Sequence, residues 1–233
     1  MKILVIHPVK RGVLDEDPMP PLPPFIEVES RWLSRGPTSI ECRADKARAV
    51  PGVLDLVTES RAEGFDGIVV NCFMEPGLAA ARELTHVPVV GPAQSAMTLA
   101  TTLGGRFSVI LPSGSGAPIA AEQARRYVGS ERLASVRSVE MPVAELGDTE
   151  RLTAGLIEQA ERAVSEDRAH VVILGCTGMC ATTTAVSAVV SSRGVPVIDP
   201  TLAAIGAITA QVCAGVSHSP RAYAMPRWRT DAA

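Results

Sequence analysis

The sequence predicts an α/β protein made of two related lobes, each a parallel sheet flanked by helices. Three observations carry this: apolar runs of strand length alternate with amphipathic stretches of helix length, small aliphatic residues dominate, and one ordered series of elements occurs twice.

Lys2 to Ile6 reads as a buried strand. Similar β-rich apolar runs recur at Gly67 to Val70, Val87 to Val90, Phe107 to Leu111, Val136 to Met141, Val171 to Leu174 and Val195 to Ile198. Between them, Pro51 to Glu63 places Val53, Leu54, Val57 and Ala62 near one helical face, and Thr149 to Ser165 does the same with Leu152, Leu156, Ala160 and Val164. Strands alternating with helices predict mostly parallel sheets. Asp15 to Pro24 carries five prolines, a composition that blocks both helix and central strand. It reads as a loop, either a surface connection or a lid near a ligand.

The two halves repeat one another. Val87-Pro88-Val89-Val90-Gly91-Pro92 precedes a helical stretch from Ala93 to Ala100, and Val195-Pro196-Val197-Ile198-Asp199-Pro200 precedes one from Thr201 to Ile208, an offset of 195 − 87 = 108 residues. Upstream of each lies an apolar strand, one small residue and a cysteine: Ile68-Val69-Val70-Asn71-Cys72 and Val172-Ile173-Leu174-Gly175-Cys176, offset by 176 − 72 = 104. Recurrence of the whole series in order argues for two related lobes.

The 233 residues are 46% hydrophobic, enough for packed cores, with only 3% aromatics. The formal net charge is −3 and no basic stripe follows a nucleic-acid backbone, so DNA and RNA are not expected as partners. The apolar run after Met1 is too short for a signal peptide or a membrane span, so a cytoplasmic protein is expected. Five cysteines (42, 72, 176, 180 and 213) are an odd number, which predicts reduced thiols rather than a disulfide framework.

Cys72 and Cys176 fall where a parallel strand gives way to the next helix, the carboxyl edge at which open α/β sheets bind ligands. Glu75-Pro76-Gly77 reads as a helix start, and Thr177-Gly178 offers a capping hydroxyl and a turn. Facing helix amino ends, the thiols are expected to ionise near pH 7 rather than their usual value of about 8.5. Two facing lobes would bring both sulfurs to one cleft, where one takes a proton from a carbon and the other returns one to the opposite face, with no metal or organic cofactor. The competing reading makes each a small buried hydrophobe. Duplication at equivalent points favours the functional one. Cys42, Cys180 and Cys213 have no equivalents and are read as structural or incidental, and the Cys176-x₃-Cys180 spacing is loose for a zinc site, with no second ligand cluster beside it.

At these residues the chain resembles the aspartate/glutamate/hydantoin racemase superfamily, most of all its hydantoin racemases. Cys72-Phe73-Met74-Glu75-Pro76-Gly77-Leu78 resembles that group's Cys-Phe-Gly-Asp-Pro-Gly-Leu, and Gly175-Cys176-Thr177-Gly178-Met179 its Gly-Cys-Ala-Gly-Met. Gly36 to Glu41 and Gly104 to Val109 also match. The resemblance implies two pseudo-symmetric, flavodoxin-like lobes with four-stranded parallel sheets, residues 1–95 plus 205–233 forming the first and 96–204 the second, with the active site between them. It implies catalytic roles for Cys72 and Cys176 in inverting C5 of a 5-substituted hydantoin or an allantoin-like ring, and a homo-oligomer is expected. Phe73 would flank the ring, and amides around Thr177, Gly178 and Met179 would receive its oxygens.

The sequence departs from the group at His7-Pro8-Val9, where Asn-Pro-Asn is usual, at Asn71 in place of Ala, and at Met74 in place of Gly. These differences bear on pocket size and polarity. His7 reads equally as a functional group, either ligand-orienting or a further acid/base participant, or as a hydrogen-bonded structural histidine. Thr38 and Ser39 read as turn or helix-capping residues ahead of ligand contacts, and Ser113-Gly114-Ser115-Gly116 is a weak anion-cradle signal. Amino-acid racemases carry Cys-Asn-Thr at the first cysteine, and arylmalonate decarboxylases lack that cysteine; neither pattern occurs here. Maleate isomerases keep two cysteines and remain a rival. A non-catalytic small-ligand-binding protein is the rival from another class.

Overall fold

The structure, a computed structural model, describes residues 1–12, 19 and 21–227. In the first lobe β1 (Lys2–His7), β2 (Glu27–Trp32), β3 (Gly67–Val70) and β4 (Val89–Val90) form a wholly parallel sheet in the order β2-β1-β3-β4, with α1 (Arg43–Glu59), α2 (Leu78–Arg82) and α3 (Pro92–Leu103) between or after the strands. In the second, β5 (Phe107–Leu111), β6 (Leu133–Ser138), β7 (Val171–Leu174) and β8 (Val197–Ile198) repeat that order as β6-β5-β7-β8, with α4 (Ala117–Tyr127), α5 (Thr149–Ser165), α6 (Thr183–Val190) and α7 (Pro200–Cys213). The duplicated series in the sequence is therefore a duplicated sheet.

Each central strand is apolar on both faces because helices cover both. In β1, Leu4 and Ile6 pack with Val53 and Val57 of α1, while Ile3 and Val5 pack with Ala204, Ile205 and Ile208 of α7. In the second sheet, Ile110, Val172 and Leu174 meet Leu152, Leu156 and Ala160 of α5. On the other face, Val109, Val171 and Ile173 meet Ala93, Ala96, Met97 and Ala100 of α3. The closing helix of each half thus covers the sheet of the other. Alanines make that close approach possible, and the exchange locks the two carboxyl edges into one cleft. Asp199 caps α7, accepting from the backbone amides of Thr201 at 2.8 Å and Leu202 at 3.0 Å, an arrangement that typically contributes about 1 kcal/mol.

Several boundaries differ from the sequence reading. Strand β2 is absent from it, because Glu27–Trp32 is an edge strand whose Glu29 and Arg31 pair with Lys2 and Glu63 rather than showing an apolar run. Strand β6 begins at Leu133 rather than Val136, again at a half-buried edge. Helix α1 begins at Arg43, so Pro51 lies inside it instead of at its start. Of the Pro-rich segment, positions 15–18 and 20 lie outside the described residues. Met19 and Leu22 pack against the core beneath α7, which makes those positions part of the connection between β1 and β2.

Candidate active site

Cys72 follows β3 after Asn71, and Cys176 follows β7 after Gly175, so the repeat delivers both thiols to the carboxyl edges of the two sheets. Two small chambers meet there. One, of about 40 Å³, is apolar and is bounded by Phe73, Met74, Leu111 and Gly116. The other, of about 70 Å³, is more polar and is bounded by His7, Trp32, Thr38, Ser39, Asn71 and Gly178. Cys72, Cys176, Thr177, Ile40 and Val143 line both. The cysteine pair therefore stands at the junction of an apolar and a polar compartment.

The lobes are joined around this junction. Thr177 Oγ1 donates to the carbonyl of Asn71 at 3.3 Å, and Thr201 Oγ1 donates to Asn71 Oδ1 at 3.1 Å. Cys180 is buried behind them with its Sγ 3.1 Å from Asp199 Oδ1, in keeping with a structural part. Ser115 donates to the carbonyl of Glu41 at 2.9 Å, and Arg43 bonds Glu122 at 2.7 Å. In the polar chamber His7 stacks on Trp32 with ring centroids 4.5 Å apart and an 8° interplanar angle, and Arg11 lies over the same indole. His7 Nε2 is also 3.3 Å from Ser30 Oγ.

The thiols do not sit at helix amino ends. After Cys72 the chain makes a tight turn, with Glu75 at φ 52° and Gly77 at φ 70°, and α2 begins only at Leu78. After Cys176 comes a 3₁₀ turn, Thr177–Thr182, in which Thr177 bridges to Asn71 rather than capping. Individual amides reach the sulfurs instead: those of Met74 and Glu75 at Cys72, and that of Gly178 at Cys176. Burial outweighs them, pushing Cys72 up to about 12 and Cys176 up to about 11. The expected lowering toward 7 is thereby corrected, because desolvation of a thiolate exceeds what one or two amides return. Charge on Cys176 raises Cys72 further.

Seven of the eight residues singled out from the sequence border these chambers: His7, Asn71, Cys72, Phe73, Cys176, Thr177 and Gly178. Met179 does not. Its side chain is fully buried in the core of the second lobe and its amide donates to the Cys176 carbonyl at 3.1 Å, while the Gly178 amide serves the Cys176 sulfur. That turn supports the Cys176 thiol. Thr38 and Ser39, for which a turn or capping role stood ahead of ligand contact, line the polar chamber, and Ser113, Ser115 and Gly116 line the apolar one. Trp32, Ile40 and Val143 went unnoticed. Trp32 had a signal only in its place at the end of a strand that the pattern did not reveal. Among the described residues no group of three His, Cys, Asp or Glu side chains could hold a metal ion, and no helix is long and apolar enough to cross a membrane.

The family model for Asp/Glu/hydantoin racemases matches residues 18–208. The chain belongs to this family. It is 37% identical to a hydantoin racemase of Rhizobium meliloti over 198 residues, covering 84% of this chain and 81% of the relative. Among solved structures it is similar to an allantoin racemase from Klebsiella pneumoniae, with a TM-score of 0.89 and 31% identity, covering 97% of this chain and 94% of that one. It is likewise similar to one from Pseudomonas fluorescens, with a TM-score of 0.87 and 30% identity over 97% of both chains. The protein is an isomerase, a racemase of this family, and the two-lobed α/β fold is that of its structural relatives.

Proposed function

We propose that this racemase inverts C5 of a 5-substituted hydantoin by proton transfer between Cys72 and Cys176. The observation that carries the reading is the placement of two thiols, from equivalent ends of two duplicated sheets, at the junction of the same two chambers. With the ring in the polar chamber and the C5 substituent in the apolar one, the asymmetric carbon lies at that junction. One cysteine, as thiolate, takes the C5 proton and becomes a thiol. The electron pair passes onto the adjacent ring carbonyl, and the opposite thiol then protonates the other face and is left as thiolate. A thiol held at a high pKa is scarce as thiolate but strong as a base, which suits a carbon acid activated only by a carbonyl.

His7, Thr38, Ser39 and Asn71 border the polar chamber and are the groups that would orient ring oxygens and nitrogens. Asn71 Oδ1 is engaged by Thr201, which leaves the amide NH₂ to donate. Phe73, Met74 and Leu111 favour an apolar substituent over the polar ureido group of allantoin. Likeness to allantoin racemases makes allantoin the second substrate to be run. The reading also carries the expectation of a cytoplasmic homo-oligomer acting on a small cyclic molecule.

The test is polarimetry of resolved 5-substituted hydantoins in deuterated water, with allantoin and maleate alongside. Rotation of a hydantoin bearing an apolar substituent decays to zero while C5 gains deuterium. Turnover of maleate with every hydantoin left untouched would move the assignment to cis–trans isomerisation.

A further inference from the structure

Behind Cys72 lies a buried carboxylate that the proton-transfer scheme does not use. Glu75 is 4% exposed and adopts the left-handed backbone conformation, φ 52°, which non-glycine residues rarely occupy. Its side chain reaches away from the chambers into the seam between the lobes. There Oε1 accepts from the backbone amide of Gln94 in α3 at 2.8 Å, and Oε2 accepts from the Tyr127 hydroxyl at 2.5 Å and from Gln123 Nε2 at 3.3 Å, both in α4. Gln123 Nε2 also donates to the Phe73 carbonyl at 2.8 Å, within the same turn. The seam is shaped for this carboxylate: a methyl group on Gly91 would lie 2.3 Å from Glu75 Oε1.

The turn held by these bonds is the one that aims two amides at a sulfur. The N–H groups of Met74 and Glu75 both support negative charge on Cys72, and the Glu75 amide also donates to the Cys72 carbonyl at 2.9 Å. A left-handed residue persists only where its surroundings over-determine it. Here the anchoring groups belong to α3 and α4, both packed on the second sheet. Burial raises the Glu75 carboxyl above its usual range, while the Gln94 amide and Tyr127 hydroxyl act the other way.

We infer that Glu75 is a positioning residue for Cys72: its carboxylate, pinned by Gln94, Gln123 and Tyr127, holds the strained turn whose Met74 and Glu75 amides stabilise the Cys72 thiolate. The inference deepens the two-cysteine reading and depends on it for its catalytic meaning. Its structural content does not need the substrate to be known.

The experiment follows the pH dependence of iodoacetamide alkylation at Cys72 and Cys176 separately, by peptide mass, in the full-length wild type and in Glu75→Ala, Glu75→Gln and Tyr127→Phe. Losing the anchor should slow Cys72 alkylation about 10-fold at each pH between 7 and 9, while the Cys176 profile stays in place. Glu75→Gln keeps the acceptor for the Gln94 amide and can donate to Tyr127, so it should recover most of the Cys72 reactivity. Tyr127→Phe removes one hydroxyl at a half-buried site and serves if Glu75→Ala does not fold. Cys72 and Cys176 profiles that shift together, or a Cys72 profile that stays put in a folded Glu75→Ala or Tyr127→Phe protein, would overturn the inference. Alkylation needs no substrate, so a selective Cys72 shift in an enzyme inert toward hydantoins would sink the proposed function and leave the role of Glu75 standing.

Discussion

Gly175 joins β7 to Cys176, and replacing it with alanine tests whether the second thiol is held in position by the backbone. A methyl group there would lie 2.5 Å from Leu111 Cδ2, 2.8 Å from Val109 Cγ1 and 2.9 Å from the Ile110 carbonyl oxygen. The two side chains can rotate away. The carbonyl cannot, because it belongs to the central strand β5 and accepts from the Gly175 amide at 2.7 Å. Ordinary contact begins near 3.4 Å, so the end of β7 must retreat by about 0.5 Å (3.4 − 2.9), carrying Cys176 with it. Such overpacking typically costs about 1–3 kcal/mol, which at about 2–4 °C per kcal/mol lowers Tm by roughly 2–12 °C for a chain of this size. Displacements of about 1 Å at a reacting centre cost about 100-fold in rate, so half that distance predicts a fall in kcat of about 10-fold or more. Scanning calorimetry and polarimetry on the Gly175→Ala protein measure the two effects. Wild-type kcat together with wild-type Tm would refute the view that this strand end sets the position of the thiol.

The other predictions concern ionisation and pocket shape. Because Cys176 is held at about 11 and Cys72 at about 12, kcat/KM should rise about 10-fold per pH unit between pH 7 and 9, following formation of the first thiolate; a plateau near neutrality in a stopped-flow pH series would contradict it. The same shifts fix the sign for stability. The folded protein keeps both thiols neutral, while the unfolded chain ionises them at about 8.5, so stability is retained below that pH and is lost toward 11–12, by about 1.4 kcal/mol per pH unit for each thiol. Urea unfolding at stepped alkaline pH, with and without Cys72→Ala, separates one contribution. Gly116 borders only the apolar chamber of about 40 Å³, so Gly116→Val should reduce kcat/KM for hydantoins with bulky C5 substituents by roughly 10- to 200-fold and spare 5-methylhydantoin; uniform loss across the series would place the substituent elsewhere.

The central strands and the paired cysteines were legible because both arise from apolar runs bounded by sharp punctuation, Asn71-Cys72 and Gly175-Cys176, and because the series repeats. The edge strand β2 was not. In β2, Glu29 and Arg31 satisfy one another and their neighbours at a half-exposed edge, so no apolar alternation announces a strand. Missing β2 meant missing Trp32 and the ring it stacks on His7. The acidity of the thiols was misread for a related reason: Glu75-Pro76-Gly77 looks like a helix start, yet the left-handed Glu75 turns the chain first, its carboxylate accepting from the hydroxyl of Tyr127, 52 residues away. The direction of the Met179 side chain was not legible, because a motif gives no hint of which way a side chain points. It faces the second core, beside Val186 and Leu174.

The most direct test of the two-thiol account gives Cys72→Ser and Cys176→Ser each enantiomer of one resolved hydantoin in deuterated water and follows C5 exchange apart from inversion. The account predicts that neither variant racemises, and that each washes deuterium into one enantiomer only, the opposite one in the two proteins, with configuration retained. Racemisation by either single variant, or exchange of the same enantiomer by both, would contradict it.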